Sequence, residues 1–488
     1  MKLKYCTLFI AILFFKIAAA QNQANIWYFG DYCGLDFNSG VPVNTHEILA
    51  AGNAISVLSD ANGNFLFCYN GMMIWNREGT LMPNGFDLIG DKRACMGALI
   101  VQQPGSDHLY YIFSVDYKQA EDIGMHYSVV DMNLDGGLGD VTSEKNVPLA
   151  QAWAASNKLI SVRHANGDDV WIITRNFKWQ QWYVAFLLTS SGLSTQVVLS
   201  PVPERSELNN MGSMKVSPDK KYLVAAYESC DCPDYKKTSL DVCRFNASTG
   251  EIELLYTLTK NSILISVYKP WAVEFSPDSK LLYVSYFKNG YGTMDLYQYD
   301  MQFIEDSLQL KQSEIFIASG PVNGLQLARD GKIYCTVPNG EGIYDYVSVI
   351  NEPWKRGTAC NYEADAIYLD DYTTHSCFPN ILLDHLYRFE WTGEPCQGYP
   401  FQFMPNFIPT PDSIVWNFDD QLAPGSLSNE LSPTYSFKHA GTHEVKVDVW
   451  YPSGRYEHTS REIEISPSPL PLLGPDTLIC DGAAIILN

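Results

Sequence analysis

The sequence predicts an all-β chain, a seven-bladed β-propeller followed by a smaller β-sandwich. Three observations carry this. A unit of roughly 50 residues recurs over the first 390 positions, the length of a four-stranded blade with its loops. Charged residues make up only 18%, and Gly, Asn, Asp and Tyr are frequent, which suits short strands joined by tight turns. Near residue 390 the repeat stops and another strand pattern begins.

The chain opens with MKLKYCTLFIAILFFKIAAA. Lys2 and Lys4 form a positive start, an apolar run follows from Leu8 to Phe15, and Ala18 and Ala20 are small residues suited to cleavage before Gln21. Residues 1–20 therefore read as a secretory signal peptide. Lys16 interrupts the apolar run, which falls short of the roughly 20 residues a bilayer span needs. Cys6 leaves with this leader, and no later stretch approaches a membrane span. Losing Lys2, Lys4 and Lys16 takes the formal charge from -22 to -25, which makes nucleic acid and anionic lipid poor partners. Ca2+ would suit such acidity, but no spacing places an ion, and no cofactor is expected.

The clearest repeats are MKVSPDKKYLVAAYE (214–228), VEFSPDSKLLYVSYF (273–287) and LQLARDGKIYCTVPN (325–339). Each pairs an apolar strand with a second alternating strand across a turn built on Pro-Asp or Arg-Asp. Weaker copies start at Ile55, Ala98 and Lys158, so the starts are spaced by roughly 50 residues. The units are similar to YVTN- or WD-type propeller repeats. A seventh unit is expected in two pieces. NIWYFGDYCGLDFNSG (25–40) reads as strand without a hairpin partner of its own, and SCFPNILLDHL (376–386) reads as a late strand beside it. Joining the two ends of the chain would remove the exposed edge of an open sheet. Six or eight blades are the alternatives, and the propeller is assigned to residues 21–390.

Twelve cysteines less Cys6 leave eleven, an odd number for a compartment where disulfides persist. Cys480 is the natural odd member, since it lies close to the last residue. In CDCPDYKKTSLDVC, Cys230, Cys232 and Cys243 lack paired C-x-x-C spacing and a nearby His, so a disulfide-pinned loop is preferred over zinc. The connectivity stays open. No catalytic or metal residue stands out: G-x-S-x-G, H-E-x-x-H and a repeated Asp-box are all missing. In NFKWQQWYVAF, Trp179 and Trp182 are speculative ligand-contact platforms for carbohydrate, although such runs more often pack between blades. His164 stands alone beside a hairpin turn and reads as a structural hydrogen-bonder.

From Cys396 the pattern is VWNFDD, then SPTYSF, then AGTHEVKVDVW. This resembles the PKD domain pattern of Trp-x-Phe-Gly-Asp, Pro-x-x-x-Tyr and Gly-x-Tyr-x-Val, which implies an immunoglobulin-like sandwich over 396–466. Val445, Val447 and Val449 alternate with Lys446 and Asp448 as a half-buried strand requires, and Trp416 and Phe418 share a core face. Asp419 stands where the family has Gly, and His443 where it has an aromatic. A Pro-rich linker follows over 467–477, and residues 478–488 read as the start of a further, truncated immunoglobulin-like module. Together with YNGMMIWNREGTLMPNG and YSVVDMNLDGGLGDV, these segments look like PKD-containing surface proteins of the Bacteroidetes, the gliding-motility-associated cargo of type IX secretion. That resemblance implies a secreted or outer-membrane-attached location.

The function expected from this reading is non-catalytic binding or adhesion. The propeller would present loops to an extracellular polysaccharide or protein, and the PKD module would act as spacer or second contact. A secreted polysaccharide-active hydrolase or lyase with a propeller catalytic domain is the alternative, because the same fold hosts many activities. A purely structural stalk is the third reading. Two or more acidic groups or a His cluster at one channel mouth would favour an enzyme. An apolar, backbone-lined channel with aromatics exposed on a loop face would favour a binder.

Overall fold

The computed structural model describes residues 22–60, 62–115, 124–177, 180–203, 211–227, 239–260, 268–288, 293–320, 322–336, 345–370, 372–382, 388–393, 396–407, 411–420, 425–451 and 456–468. The leader, Trp179, Cys230, Cys232, Cys480 and the further C-terminal module lie outside them.

Antiparallel sheets follow one another in chain order. A hairpin of β1 (Ile26–Asp36) and β2 (Val43–Gly52) precedes a sheet of β3 (Ser56–Ser59), β4 (Phe65–Tyr69) and β5 (Ile74–Asn76). Next come β6 (Ala98–Gln102), β7 (Leu109–Val115) and β8 (Met125–Asp131), whose outer neighbour is split into β9 (Asp140–Val141) and β10 (Val147–Pro148). β11 (Ile160–Arg163), β12 (Val170–Arg175), β13 (Tyr183–Thr189) and β14 (Gly192–Ser200) form the next sheet. β15 (Met214–Val216), β16 (Tyr222–Tyr227), β17 (Ser239–Phe245) and β18 (Ile252–Leu258) repeat that plan. So do β19 (Tyr268–Phe275), β20 (Leu281–Lys288), β21 (Thr293–Asp300) and β22 (Ile315–Gly320), then β23 (Leu325–Leu327), β24 (Ile333–Cys335), β25 (Tyr346–Ile350) and β26 (Tyr362–Tyr368).

Strands buried on both faces need apolar residues in both directions, and each sheet meets the next through such a layer. Tyr28 packs with Val57, Phe67 with Ile112, Phe113 with Phe186, and Ile173 with Met214. Val242 lies with Val284, Leu296 with Ile333, and Val349 with Trp27 and Phe29. The last layer returns to the hairpin that began the series, so the sheets close into a propeller-like ring. The strands beginning each unit, β1, β3, β6, β11, β15, β19 and β23, pack beside one another in that order.

The repeated turns form for a local reason. In SPDKK the amide of Ser217 donates to the Tyr222 carbonyl at 2.8 Å, while Ser217 Oγ accepts from the Tyr222 amide at 3.0 Å and donates to Asp219 at 2.6 Å. SPDSK repeats the arrangement with Ser276, Leu281 and Asp278. Lys220, Ser279 and Gly331 supply the left-handed residue of the three turns.

The seventh unit departs from expectation. Residues 25–40 do have a hairpin partner, because β2 pairs along β1. The described part of 376–386 belongs to no strand; only Thr373, just upstream, bridges to Asp31. Pro379 lacks an N–H for a ladder, and the segment is used elsewhere.

The C-terminal part closes on a core of its own. One sheet contains β27 (Arg388–Thr392), β28 (Phe401–Asn406) and β31 (Thr434–Tyr435). The other contains β29 (Ser413–Asn417), β30 (Leu427–Ser428), β32 (Gly441–Trp450) and β33 (Tyr456–Ile465). Trp416, Phe418, Val445, Val447 and Val449 meet Phe389, Phe401 and Phe403 there. β27, which lies before residue 396, pairs along β28 in this unit. Asp419 adopts φ +53°, a left-handed conformation that glycine takes most readily. Buried Asp420 accepts from the Tyr435 hydroxyl at 2.9 Å, the Lys438 amide at 2.7 Å and His439 Nδ1 at 2.6 Å. His443 is buried, with its ring 4.7 Å from that of Phe437 and Nε2 2.9 Å from the His439 carbonyl.

Candidate functional site

A segment after the last ring strand lies against the starts of the inner strands. Residues 373–382 form a strap that touches most of the surrounding sheets. At its start the Asp31 amide donates to the Thr373 carbonyl at 2.9 Å, and a Cβ on Gly30 would lie 2.2 Å from that oxygen, so this close approach requires glycine. Ser376 follows: its amide donates to Asn53 Oδ1 at 3.0 Å, and Asn323 Nδ2 donates to its hydroxyl at 3.0 Å. Phe378 lies 5.3 Å from Trp27 and 4.9 Å from Phe29. Asn380 ties two further sheets together, with its amide 2.8 Å from the Ile55 carbonyl and Nδ2 2.6 Å from the Leu159 carbonyl. Ser56 Oγ returns a bond to the Asn380 carbonyl at 2.7 Å, and Leu382 is buried with Leu99 and Phe113. A disulfide between Cys95 and Cys377 locks the strap to the loop before β6.

Two narrow clefts flank the strap, lined in part by Lys215, Gln326 and Asn380. Lys215, Glu274 and Gln326 occupy the same position of the three clear repeats. Lys215 Nζ donates to Gln326 Oε1 at 2.6 Å and lies 3.1 Å from Glu274 Oε2. Glu274 also accepts from the amides of Phe275 at 2.9 Å and Leu327 at 3.0 Å. The group is thus internally neutralised, and its ammonium and carboxylate are committed to each other. A Lys, a Glu and a Gln at one register position, each between apolar neighbours, was the sequence signal for it.

A second buried pair, Arg175 with Asp241, joins β12 to β17. Burial works against the Arg175 charge, but Tyr227 and Asp241 outweigh it and hold the guanidinium above its ordinary pKa. Tyr183 donates to Asp241 Oδ2 at 3.2 Å, and burial pushes its hydroxyl well above the usual tyrosine value. Among the thiols, burial and then Asp31 push Cys33 up to about 12, and burial raises Cys335 and Cys360. Such thiols are poor nucleophiles.

His164 has both ring nitrogens engaged: Nδ1 accepts from the Asn166 amide at 2.9 Å, and Nε2 meets the Ser248 carbonyl at 2.9 Å. Trp182 is half-buried, and its carbonyl accepts from the Asn176 amide at 3.0 Å. Its expected companion Trp179 is outside the described residues, as are Cys230 and Cys232, while Cys243 is buried on β17. Among the described residues, no group of three or more His, Cys, Asp or Glu is arranged to hold a metal ion.

No protein-family model matches the chain, and neither does any curated protein. Among solved structures, a quinoprotein alcohol dehydrogenase-like protein from Bacteroides thetaiotaomicron is similar at TM-score 0.36 and 13% identity, over 67% of this chain and 72% of that one. Kuenenia stuttgartiensis hydrazine synthase gives 0.34 and 12%, over 70% and 95%. An oligogalacturonate lyase from Vibrio parahaemolyticus gives 0.29 and 10%, over 68% and 85%. Likenesses this distant carry no argument about activity.

Proposed function

We propose that the protein is an exported, non-catalytic binding or adhesion protein, with a seven-bladed propeller as its ligand-presenting part and a PKD-type sandwich as spacer or second contact. The observation that carries this reading is the strap. Residues 373–382 lie across the starts of the inner strands under a disulfide, and take up space that a ligand entering there would need. The polar groups beside it are bonded to one another. Counting the β1–β2 hairpin as a blade gives seven, which fits the closed series of apolar layers. The Cys95–Cys377 disulfide suits an oxidising, extracytoplasmic location.

The test uses the chain from Gln21 onward on glycan and protein arrays, followed by a turnover assay on every polymer that is bound. Saturable binding without release of reducing ends or unsaturated products is the expected result. Turnover of any bound polymer would move the assignment to hydrolase or lyase, and silence on all arrays would remove the adhesion reading.

A further inference from the structure

We propose that a tyrosine rim formed by Tyr32, Tyr346, Tyr368 and Tyr372 binds an amino-sugar polymer; this names a ligand class for the binding reading above and rests on it. Tyr346 and Tyr368 face each other across β25 and β26 with ring centroids 5.1 Å apart, and remain 37% and 41% exposed. Tyr32 is 42% exposed, with its ring 6.2 Å from that of Tyr372. Two backbone bonds link the pairs: the Leu369 amide donates to the Asp345 carbonyl at 2.6 Å and the Tyr372 amide to the Leu369 carbonyl at 3.1 Å.

Carboxylates accompany the rings. Asp345 precedes Tyr346, Asp370 accepts from Asn44 Nδ2 at 2.9 Å, and Asp31 Oδ1 lies 3.1 Å from His375 Nε2. The stretches Asp31–Thr45, Asp345–Ile350 and Tyr362–Asp370 contain no Lys or Arg and carry six carboxylates between them, with His375 as the basic group paired to Asp31. Aromatic faces accept the apolar C–H face of a sugar and attract an ammonium group, and a carboxylate pairs with that ammonium. Two ring pairs in tandem suit a ligand that repeats both features along its length. A basic peptide offers the charge without the ring face, and an acetylated glycan offers the ring face without the charge.

The experiment is calorimetric titration of the chain from Gln21 onward with a glucosamine oligomer, its N-acetylated counterpart and a lysine oligomer. Wild type is compared with Tyr346→Ala/Tyr368→Ala and with Tyr346→Phe/Tyr368→Phe, each checked for an unchanged melting temperature. The glucosamine oligomer should bind, the other two roughly tenfold or more weakly, and the alanine pair should lose about tenfold while the phenylalanine pair retains binding. Full affinity in the alanine pair would overturn the rim as the site. Equal or tighter binding of the acetylated or lysine oligomer would overturn the ligand class and leave the adhesion reading standing. Failure of wild type on all three, with an array hit elsewhere, would likewise sink only this proposal, whereas failure everywhere would take the adhesion reading with it.

Discussion

Arg175 and Asp241 are 1% and 0% exposed, so each is tolerable only because the other is present. Arg175→Met should destabilise the protein by about 3–5 kcal/mol, since it strands a carboxylate in an apolar wall. Adding Asp241→Leu should restore most of that, and the two denaturant midpoints measure it; equal losses in single and double variants would refute the pairing argument. Asp420 makes a pH prediction. Burial opposes its ionisation, but the Lys438 amide, His439 and the Tyr435 hydroxyl outweigh burial and hold its pKa below the usual carboxylate value. A depressed folded pKa gives stability that is complete above about pH 4 and is lost as pH falls through the folded value. Asp420→Asn should therefore lower the melting temperature near neutrality, and its deficit should shrink on acidification. A deficit constant with pH would rule out the linkage. The buried status of Trp416, Phe418 and the three valines of β32 was legible as period-two alternation. The Lys215–Glu274–Gln326 group shows in the sequence only as polar residues at one position of three aligned repeats, and their mutual contact needs the fold.

The hairpins of β15–β16, β19–β20 and β23–β24 follow from short-range chemistry, a Ser or Ala start, an Asp and a left-handed residue, and so were readable in sequence. The strap was not. SCFPNILL has the apolar content of a strand, yet its described part forms no ladder and packs against the starts of the inner strands. Its disulfide spans a sequence separation of 282, so it removes much chain entropy from the unfolded state. Cys95→Ala/Cys377→Ala, or reduction of the wild type, should cost about 2–5 kcal/mol, seen as a lower melting temperature. It should also expose Phe378 and Leu382 to limited proteolysis nearby. A melting temperature indifferent to reductant would show that the strap needs no latch.

The ring and the C-terminal unit meet through the β11–β12 turn. Arg461 pairs with Asp168 and stacks 4.1 Å from the Trp391 ring, while Lys280 lies 5.1 Å from the centroid of Tyr456. Gly167, at φ +78°, sits so close that a Cβ would fall 2.1 Å from Arg461 Nε. Gly167→Val should therefore separate the two units, with calorimetry splitting into two transitions and small-angle scattering showing a longer particle. Asp168→Ala alone should change much less, since the exposed ion pair is worth about 0–1 kcal/mol. A single unchanged transition in Gly167→Val would contradict a packed junction.

The all-β class, the blade-length repeat and the change of unit near residue 390 are local properties: alternation, turn residues and spacing act over a few residues and leave their mark in sequence order. The strap and the cysteine that pairs with Cys377 depend on which distant segments compete for one place. That competition is settled by closure of the ring, where partners hundreds of residues apart become neighbours, and so only the folded chain decides it.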